Sequence, residues 1–359
     1  MNFDIPRVWL LCGHKAGDNN QLLALAEALG WPYEIKRMAY RPYELLVGRL
    51  GATLAGIDLE KSDSLKPPWP DLILTAGRRN EAAVLWIRKQ VQKNVRIVHV
   101  GRPWATLKHF DLIVTTPQYQ LPDLANVHTN LLPLHRVTEE RLRQAARQWQ
   151  PKVALPPPYI TLLVGGDSGP FVFDETAAQQ LGVQVNRLAQ EKGASVLDTT
   201  SARTPPEAIA HLAREMTVAK YIHPFKPGDK ANPYLGFLGM AADIVVTGDS
   251  ISMLAEACAT GKPVYIFPFG SGRWAMRPET PVSPSPRAIW DRRRWKAWRS
   301  SLVLSLAPKR MRRDIRRIHQ ALIESGRAVW LGEEFVRQPP APVDELAITA
   351  ARVKALFIS

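Results

Sequence analysis

The sequence predicts an α/β protein made of two successive parallel-sheet domains. Short apolar runs that end in small or polar turns, each followed by a helical segment, recur along the 359 residues. The connections are short, which suits right-handed strand–helix–strand units. The pattern is interrupted near the middle by Gln150–Pro158 (QPKVALPPP), which reads as a domain boundary. The expected organisation is a first domain over 1–150, a second over 151–330 and a tail helix over 331–359, with a cleft between the two domains.

The elements follow in order. Arg7–Cys12 reads as a buried strand and Gly13–Gln21 as a polar glycine-containing turn, with Asn19 or Asn20 capping a helix closed by Gly30. Tyr33–Met38 reads as a strand, Tyr43–Leu54 as a helix and Lys61–Pro70 as a loop. Asp71–Thr75 is a strand, followed by Ala76-Gly77-Arg78-Arg79-Asn80 and a helix over Glu81–Gln90. Strands at Val95–Val100 and Leu112–Thr115 and a helix at Glu139–Gln148 complete the first half.

In the second half, Tyr159–Val164 is a strand ending in Gly165-Gly166-Asp167-Ser168-Gly169, before a helix over Glu175–Glu191 that carries Gly182. Ser195–Asp198, Pro206–Met216, Tyr221–His223 and Pro233–Met240 continue the alternation. The clearest unit is Asp243–Phe267: an apolar run, the turn Thr247-Gly248-Asp249-Ser250, a helical segment closed by Gly261, and a second apolar run. Asp249 or Ser250 is placed to cap that helix. A Pro/Gly/Ser loop spans Pro268–Pro286, and Asp344–Phe357 reads as the last helix.

Composition narrows the function. Val8–Cys12 is too short for a signal peptide, and there is no run of about 18 apolar residues to span a membrane. Cys12 and Cys258 sit in apolar runs with no disulfide or zinc spacing, which points to a reducing compartment. The net charge is +14, but 287–317 alone holds twelve Lys or Arg against two Asp. The basic character therefore belongs to one element. There Trp290, Trp295 and Trp298 interleave with Arg292–Arg294, Lys296 and Arg299 before Leu302–Leu306. That mixture suits an anionic membrane surface in preference to nucleic acid; the competing reading is a solvated helical face that packs its tryptophans on the domain. The expected location is cytoplasmic, peripheral on the inner face of a membrane.

Three turns of the second half follow parallel strands and should gather at one sheet edge: Gly165–Gly169, Thr199–Thr204 and Thr247–Ser250. They offer backbone amides and the hydroxyls of Ser168, Thr200, Ser201, Thr204, Thr247 and Ser250. With Arg203, the set suits a nucleoside diphosphate. Glu256 could accept hydrogen bonds from ribose hydroxyls, whereas Lys262 reads as a solvated turn residue. In the first half, Asp18 or His14 could take a proton from an acceptor hydroxyl. Arg78, Arg79 and Arg102 end neighbouring strands and could bind an anionic acceptor or pyrophosphate. No Asp-x-Asp and no metal-ligand spacing occurs, so neither metal nor cofactor is expected. A Gly-x-Ser-x-Gly elbow is also absent.

Thr247, Asp249-Ser250, Met253, Glu256 and Gly261-Lys262-Pro263 resemble the donor-site signature of GT-B glycosyltransferases. In particular, this stretch resembles that of the transferase that adds N-acetylglucosamine to the lipid-linked peptidoglycan precursor. More closely, the whole chain resembles the mitochondrial fission protein family named for its elongated-mitochondria phenotype. Gly13–Gln21, Gly165-Gly166, Thr199–Pro205, Asn232–Phe237, Thr247–Pro263 and, loosely, Arg317–Gly326 carry that resemblance. It implies a GT-B fold of two Rossmann-like domains. It also implies substrate contacts that include Gly13, Gly17, Asn20, Gln21, Gly77, Tyr234 and Met253. The eukaryotic branch is linked to recruitment of a fission GTPase, and the bacterial branch is regarded as glycosyltransferase-like. The expected activity is metal-independent transfer from a nucleotide-diphosphate sugar to a lipid-linked or glycolipid acceptor. The alternatives are a non-catalytic adaptor and a sugar-nucleotide epimerase.

Overall fold

The computed structural model describes residues 5–44, 51–91, 94–229, 231–270, 274–277, 292–335, 339–341 and 343–358. By internal contact the chain forms two compact units. The first is Met1–Arg136 with Pro308–Arg313 and Asp344–Ser359; the second is Val137–Ala307 with Asp314–Val343. Each is built on a fully parallel six-stranded sheet with flanking helices, so the α/β class and the paired Rossmann-like architecture stand.

The first unit contains β1 (Val8–Cys12), α1 (Ala16–Leu29), β2 (Tyr33–Arg37), β3 (Leu72–Ala76), α2 (Glu81–Gln90), β4 (Arg96–Val100), β5 (Leu112–Thr115) and β6 (Val127–Thr129). Strand order is β2-β1-β3-β4-β5-β6. Side chains alternate across the sheet, as a period of two requires. Val8, Leu10 and Cys12 join the α1 core, while Trp9 and Leu11 join the core containing Ala83, Val84 and Ile87 of α2.

The second unit contains α3 (Glu139–Trp149), β7 (Tyr159–Val164), α4 (Glu175–Lys192), β8 (Ser195–Thr200), α5 (Pro206–Glu215), β9 (Lys220–His223) and α6 (Tyr234–Met240). It continues through β10 (Asp243–Thr247), α7 (Ile251–Cys258), β11 (Val264–Phe267), α8 (Arg292–Leu306), α9 (Arg316–Glu324) and β12 (Val329–Trp330). The last helix, α10 (Glu345–Ala355), returns to the first unit. Strand order in the second sheet is β12-β11-β10-β7-β8-β9. Renumbered within that sheet, this is the 3-2-1-4-5-6 order of the nucleotide-binding fold read from its other edge, with the switch point between β7 and β10.

Several expectations change. The division falls at Arg136–Val137, ahead of the proline stretch, because α3 packs closely on α6. A Cβ added to Gly236 would lie 2.6 Å from Trp149 Cδ1, and one on Gly239 would lie 2.5 Å from the Leu142 carbonyl oxygen. The tail helix docks on the first sheet, where Ala350 and Val353 enter the α1 core and Asn130 Nδ2 donates to Thr349 Oγ1 at 3.0 Å. Helix α1 begins at Ala16, so Asp18, Asn20 and Gln21 are helical rather than part of a turn. Neither Asn19 nor Asn20 caps it: Asn19 instead folds back to bond both the amide and the carbonyl of Gly13, at 3.0 and 2.8 Å. Gly182 inside α4 is a packing requirement, since a Cβ there would sit 2.8 Å from the Leu212 carbonyl oxygen of α5. Within the expected helix at Tyr43–Leu54, residues 45–50 lie outside the described residues, as do Pro278–Pro286 and Trp290.

Candidate functional site

The second sheet places its candidate residues at the carboxyl ends of β7, β8 and β10, around the switch point. Asp249 is the hub and is almost fully buried. One carboxylate oxygen accepts from Thr247 Oγ1 at 2.8 Å; the other accepts from the Gly166 amide at 3.1 Å and from Arg203 Nη1 at 2.7 Å. Thr247 Oγ1 in turn accepts from the Gly165 amide at 2.7 Å. Burial raises the Asp249 carboxyl above its ordinary value, against the pull of the Arg203 guanidinium. The glycines fit this knot. A Cβ on Gly165 would meet the Asp249 carboxylate at 2.4 Å, and Gly166 has φ 142° with the Arg203 carbonyl oxygen 2.1 Å from a built Cβ.

The capping expectation is therefore corrected. Asp249 turns across the switch point to β7, and Ser250 makes no capping bond, so among the described residues no side chain caps the start of α7. Its first-turn amides remain available. Arg203 lies beside Asp249 with 39% of its side chain exposed. The Gly165 and Gly166 amides, by contrast, are satisfied internally.

The other turns are held by the same framework. Thr200 ends β8, and its Oγ1 accepts from the Phe225 amide at 2.9 Å. Ser201 Oγ donates to the Gly165 carbonyl, and Thr204 Oγ1 donates to the Val164 carbonyl at 3.1 Å. Ser168 pairs with Phe171 in an isolated bridge. Tyr234 on α6 donates its hydroxyl to Glu256 on α7. Burial raises both groups above their ordinary values, Tyr234 further still through the Glu256 charge. Met253 is half-buried on α7. Lys262 is not a solvated residue: its Nζ donates to the Leu238 and Gly239 carbonyls, both at 2.8 Å, and closes the end of α6. Burial lowers its pKa to about 8.

Two groups escaped the sequence reading. His319 on α9 is fully buried, with Nε2 2.7 Å from the Gly248 carbonyl oxygen, so Nε2 carries the proton and donates. Burial lowers its pKa to about 4, leaving the ring neutral. Asp198 on β8 is fully buried with neither carboxyl oxygen hydrogen-bonded, and burial pushes its pKa up to about 8. A histidine inside an apolar helical stripe and an acid inside a β-strand were the available signals.

The first unit has its own switch point, between β1 and β3. A cavity of about 140 Å³ lies there, lined by residues that include Gly13, His14, Asp18, Tyr40, Gly77, Arg78 and Arg79. The Asp18 carboxylate approaches to 3.3 Å of a Cβ built on Gly77. His14 is exposed, edge-on to Tyr40, and its pKa is lowered by partial burial and by the charges of Arg79 and Lys15. Gln21 lines a neighbouring cavity of about 30 Å³ with Asp18, whereas Asn20 is exposed; Gly17 lies in the first turn of α1. Arg78 stacks over Trp104 at 4.7 Å. Arg102 lies 5.4 Å from both the Trp104 and Tyr119 rings and donates to the Met311 carbonyl. Arg79 is committed to Glu44 at 2.8 Å. Among the described residues, no group of three His, Cys, Asp or Glu could hold a metal ion.

Comparison with known proteins places this geometry in context. The chain is 27% identical over 254 residues to the mitochondrial fission protein ELM1 of Arabidopsis thaliana, a match covering 64% of this chain and 59% of the plant protein. It is 24% identical over 295 residues to the protein RP120 of Rickettsia prowazekii, covering 72% of this chain and 82% of that one. A glycosyltransferase structure from Rickettsia africae aligns over 99% of this chain and 98% of its own, at 10% identity and TM-score 0.48. A UDP-GlcNAc 2-epimerase from Neisseria meningitidis aligns over 98% and 99%, at 12% identity and TM-score 0.47. Residues 16–278 match the family described as mitochondrial fission ELM1, and the chain belongs to that family.

Proposed function

We propose that the protein is a metal-independent glycosyltransferase that moves a sugar from a nucleotide-diphosphate sugar to a lipid-linked or glycolipid acceptor. One observation carries the donor site. At the switch point of the second sheet, Asp249 binds across to Gly166 and Arg203 and leaves the first turn of α7 without a side-chain cap. Free helix-start amides beside a half-exposed arginine suit a diphosphate. The same groups stabilise the charge that builds on the diphosphate as its bond to the sugar C1 breaks. Glu256, oriented by Tyr234, keeps one carboxylate oxygen for a ribose hydroxyl. The acceptor oxygen forms the new bond to C1, and its proton passes to Asp18 or His14. Arg78 and Arg102 serve an anionic acceptor.

The adaptor reading draws on a different observation: the Gly165 and Gly166 amides are already spent inside the protein. A screen of nucleotide sugars against lipid extract, followed by mass spectrometry, separates the readings. Transfer should release nucleoside diphosphate and shift a lipid by one sugar mass, with chelator making no difference. No donor consumed, or a donor isomerised without acceptor, would remove the transferase.

A further inference from the structure

Helix α8 has two unlike faces. Ala297 and Leu304 are buried, and its start is tied down by Arg294 to Asp174 at 3.2 Å and by Arg293 to Glu207 and Asp167 at 3.6 and 3.8 Å. All of these partners lie in the second unit. The opposite face carries Trp295, Trp298, Leu302, Val303 and Leu306, exposed by 62, 58, 44, 53 and 74%. Their spacing follows one side of a helix. The two indoles meet edge-on, 5.9 Å apart. Such a cluster of large exposed apolar side chains marks an interaction surface.

The chemistry of that face selects its occupant. Lys296 and Arg299 are exposed among the tryptophans, and α8 contains no acidic residue. The surrounding stretch 287–317 holds twelve of the chain's Lys and Arg against two Asp. Tryptophan favours the level of lipid headgroups, while Lys and Arg extend to phosphates. Each basic side chain near an anionic bilayer adds to the attraction. Among the described residues no helix is long and apolar enough to cross a membrane, which leaves adsorption as the mode.

We infer that the outward face of α8 docks the protein onto an anionic lipid bilayer. Trp295, Trp298, Leu302, Val303 and Leu306 enter the headgroup–acyl boundary, and Lys296 and Arg299 lie against lipid phosphates. The full chain should sediment with vesicles of phosphatidylcholine containing one third phosphatidylglycerol, but not with phosphatidylcholine alone. The Trp295→Ala/Trp298→Ala protein should bind at least about tenfold more weakly. Its thermal midpoint should match that of the wild type, because both indoles are exposed. Lys296→Gln/Arg299→Gln should weaken binding at low salt and flatten its salt dependence. No sedimentation of the wild type, or equal binding by the tryptophan variant, would overturn the inference. So would retention on a nucleic-acid duplex but not on vesicles. Vesicle binding by a protein that binds no nucleotide would leave α8 as the membrane face and remove only the donor site, so the two fail separately.

Discussion

Asp249 shows how a polar turn residue can be spent on holding the fold together. Its type and position in Thr247-Gly248-Asp249-Ser250 suggested a helix cap or a ligand contact. Folding instead turns it inward, where three hydrogen bonds use both carboxylate oxygens and fix β10 to β7 and to the Arg203 turn. A buried carboxylate with a charged partner is destabilising to remove, because the partner and an amide are left unpaired. Arg203 is partly solvated, which softens that cost. Asp249→Ala should lower unfolding free energy by about 2–3 kcal/mol in urea denaturation. A loss below about 0.5 kcal/mol, the range of an ordinary surface change, would contradict the role assigned to it.

At the scale of elements, the strands and the amphipathic helices were legible because their periodicity is strong: α2 and β5 fall on the expected residues. β6 and β12 were not, since three and two residues carry no pattern. The start of α1 was missed because the polar residues Asp18–Gln21 read as a turn, whereas Asn19 closes the Gly13 loop from within the helix. The docking of α9 was invisible for a different reason. His319 meets Gly248 across 71 residues, and only the fold brings them together. This contact makes the Thr247–Ser250 turn sensitive to acid. Burial holds His319 at about 4 in the fold, against an ordinary 6.5. An unfolded chain takes up a proton below about 6.5 that the folded chain refuses until about 4. The stabilising effect is therefore full above 6.5 and is lost as pH falls toward 4. His319→Gln should be less stable than wild type at pH 7, by several degrees in thermal melts, and the gap should narrow toward pH 4. A gap that stays constant with pH would contradict the neutral, buried imidazole.

For the whole molecule, two parallel sheets each create a switch point, and the residues singled out from sequence gather around them. His14, Asp18, Gly77 and Arg78 meet at β1/β3, and Gly165, Gly166, Arg203, Thr247 and Asp249 meet at β7/β10. Glycines and short polar turns after strands announce such places in sequence. Which amides stay free depends on side-chain direction, and sequence spacing does not contain that. Ser252 is exposed in the first turn of the uncapped α7. A glutamate there suits the helix dipole and leaves the fold intact, but its charge occupies the space assigned to a diphosphate. Calorimetric titration of nucleoside diphosphates into wild-type and Ser252→Glu protein, in chelator, is the most direct measurement. At least one diphosphate should bind the wild type, and the variant should bind it at least about tenfold more weakly at an unchanged thermal midpoint. Binding of none by the wild type, or equal binding by the variant, would contradict a donor diphosphate at the start of α7.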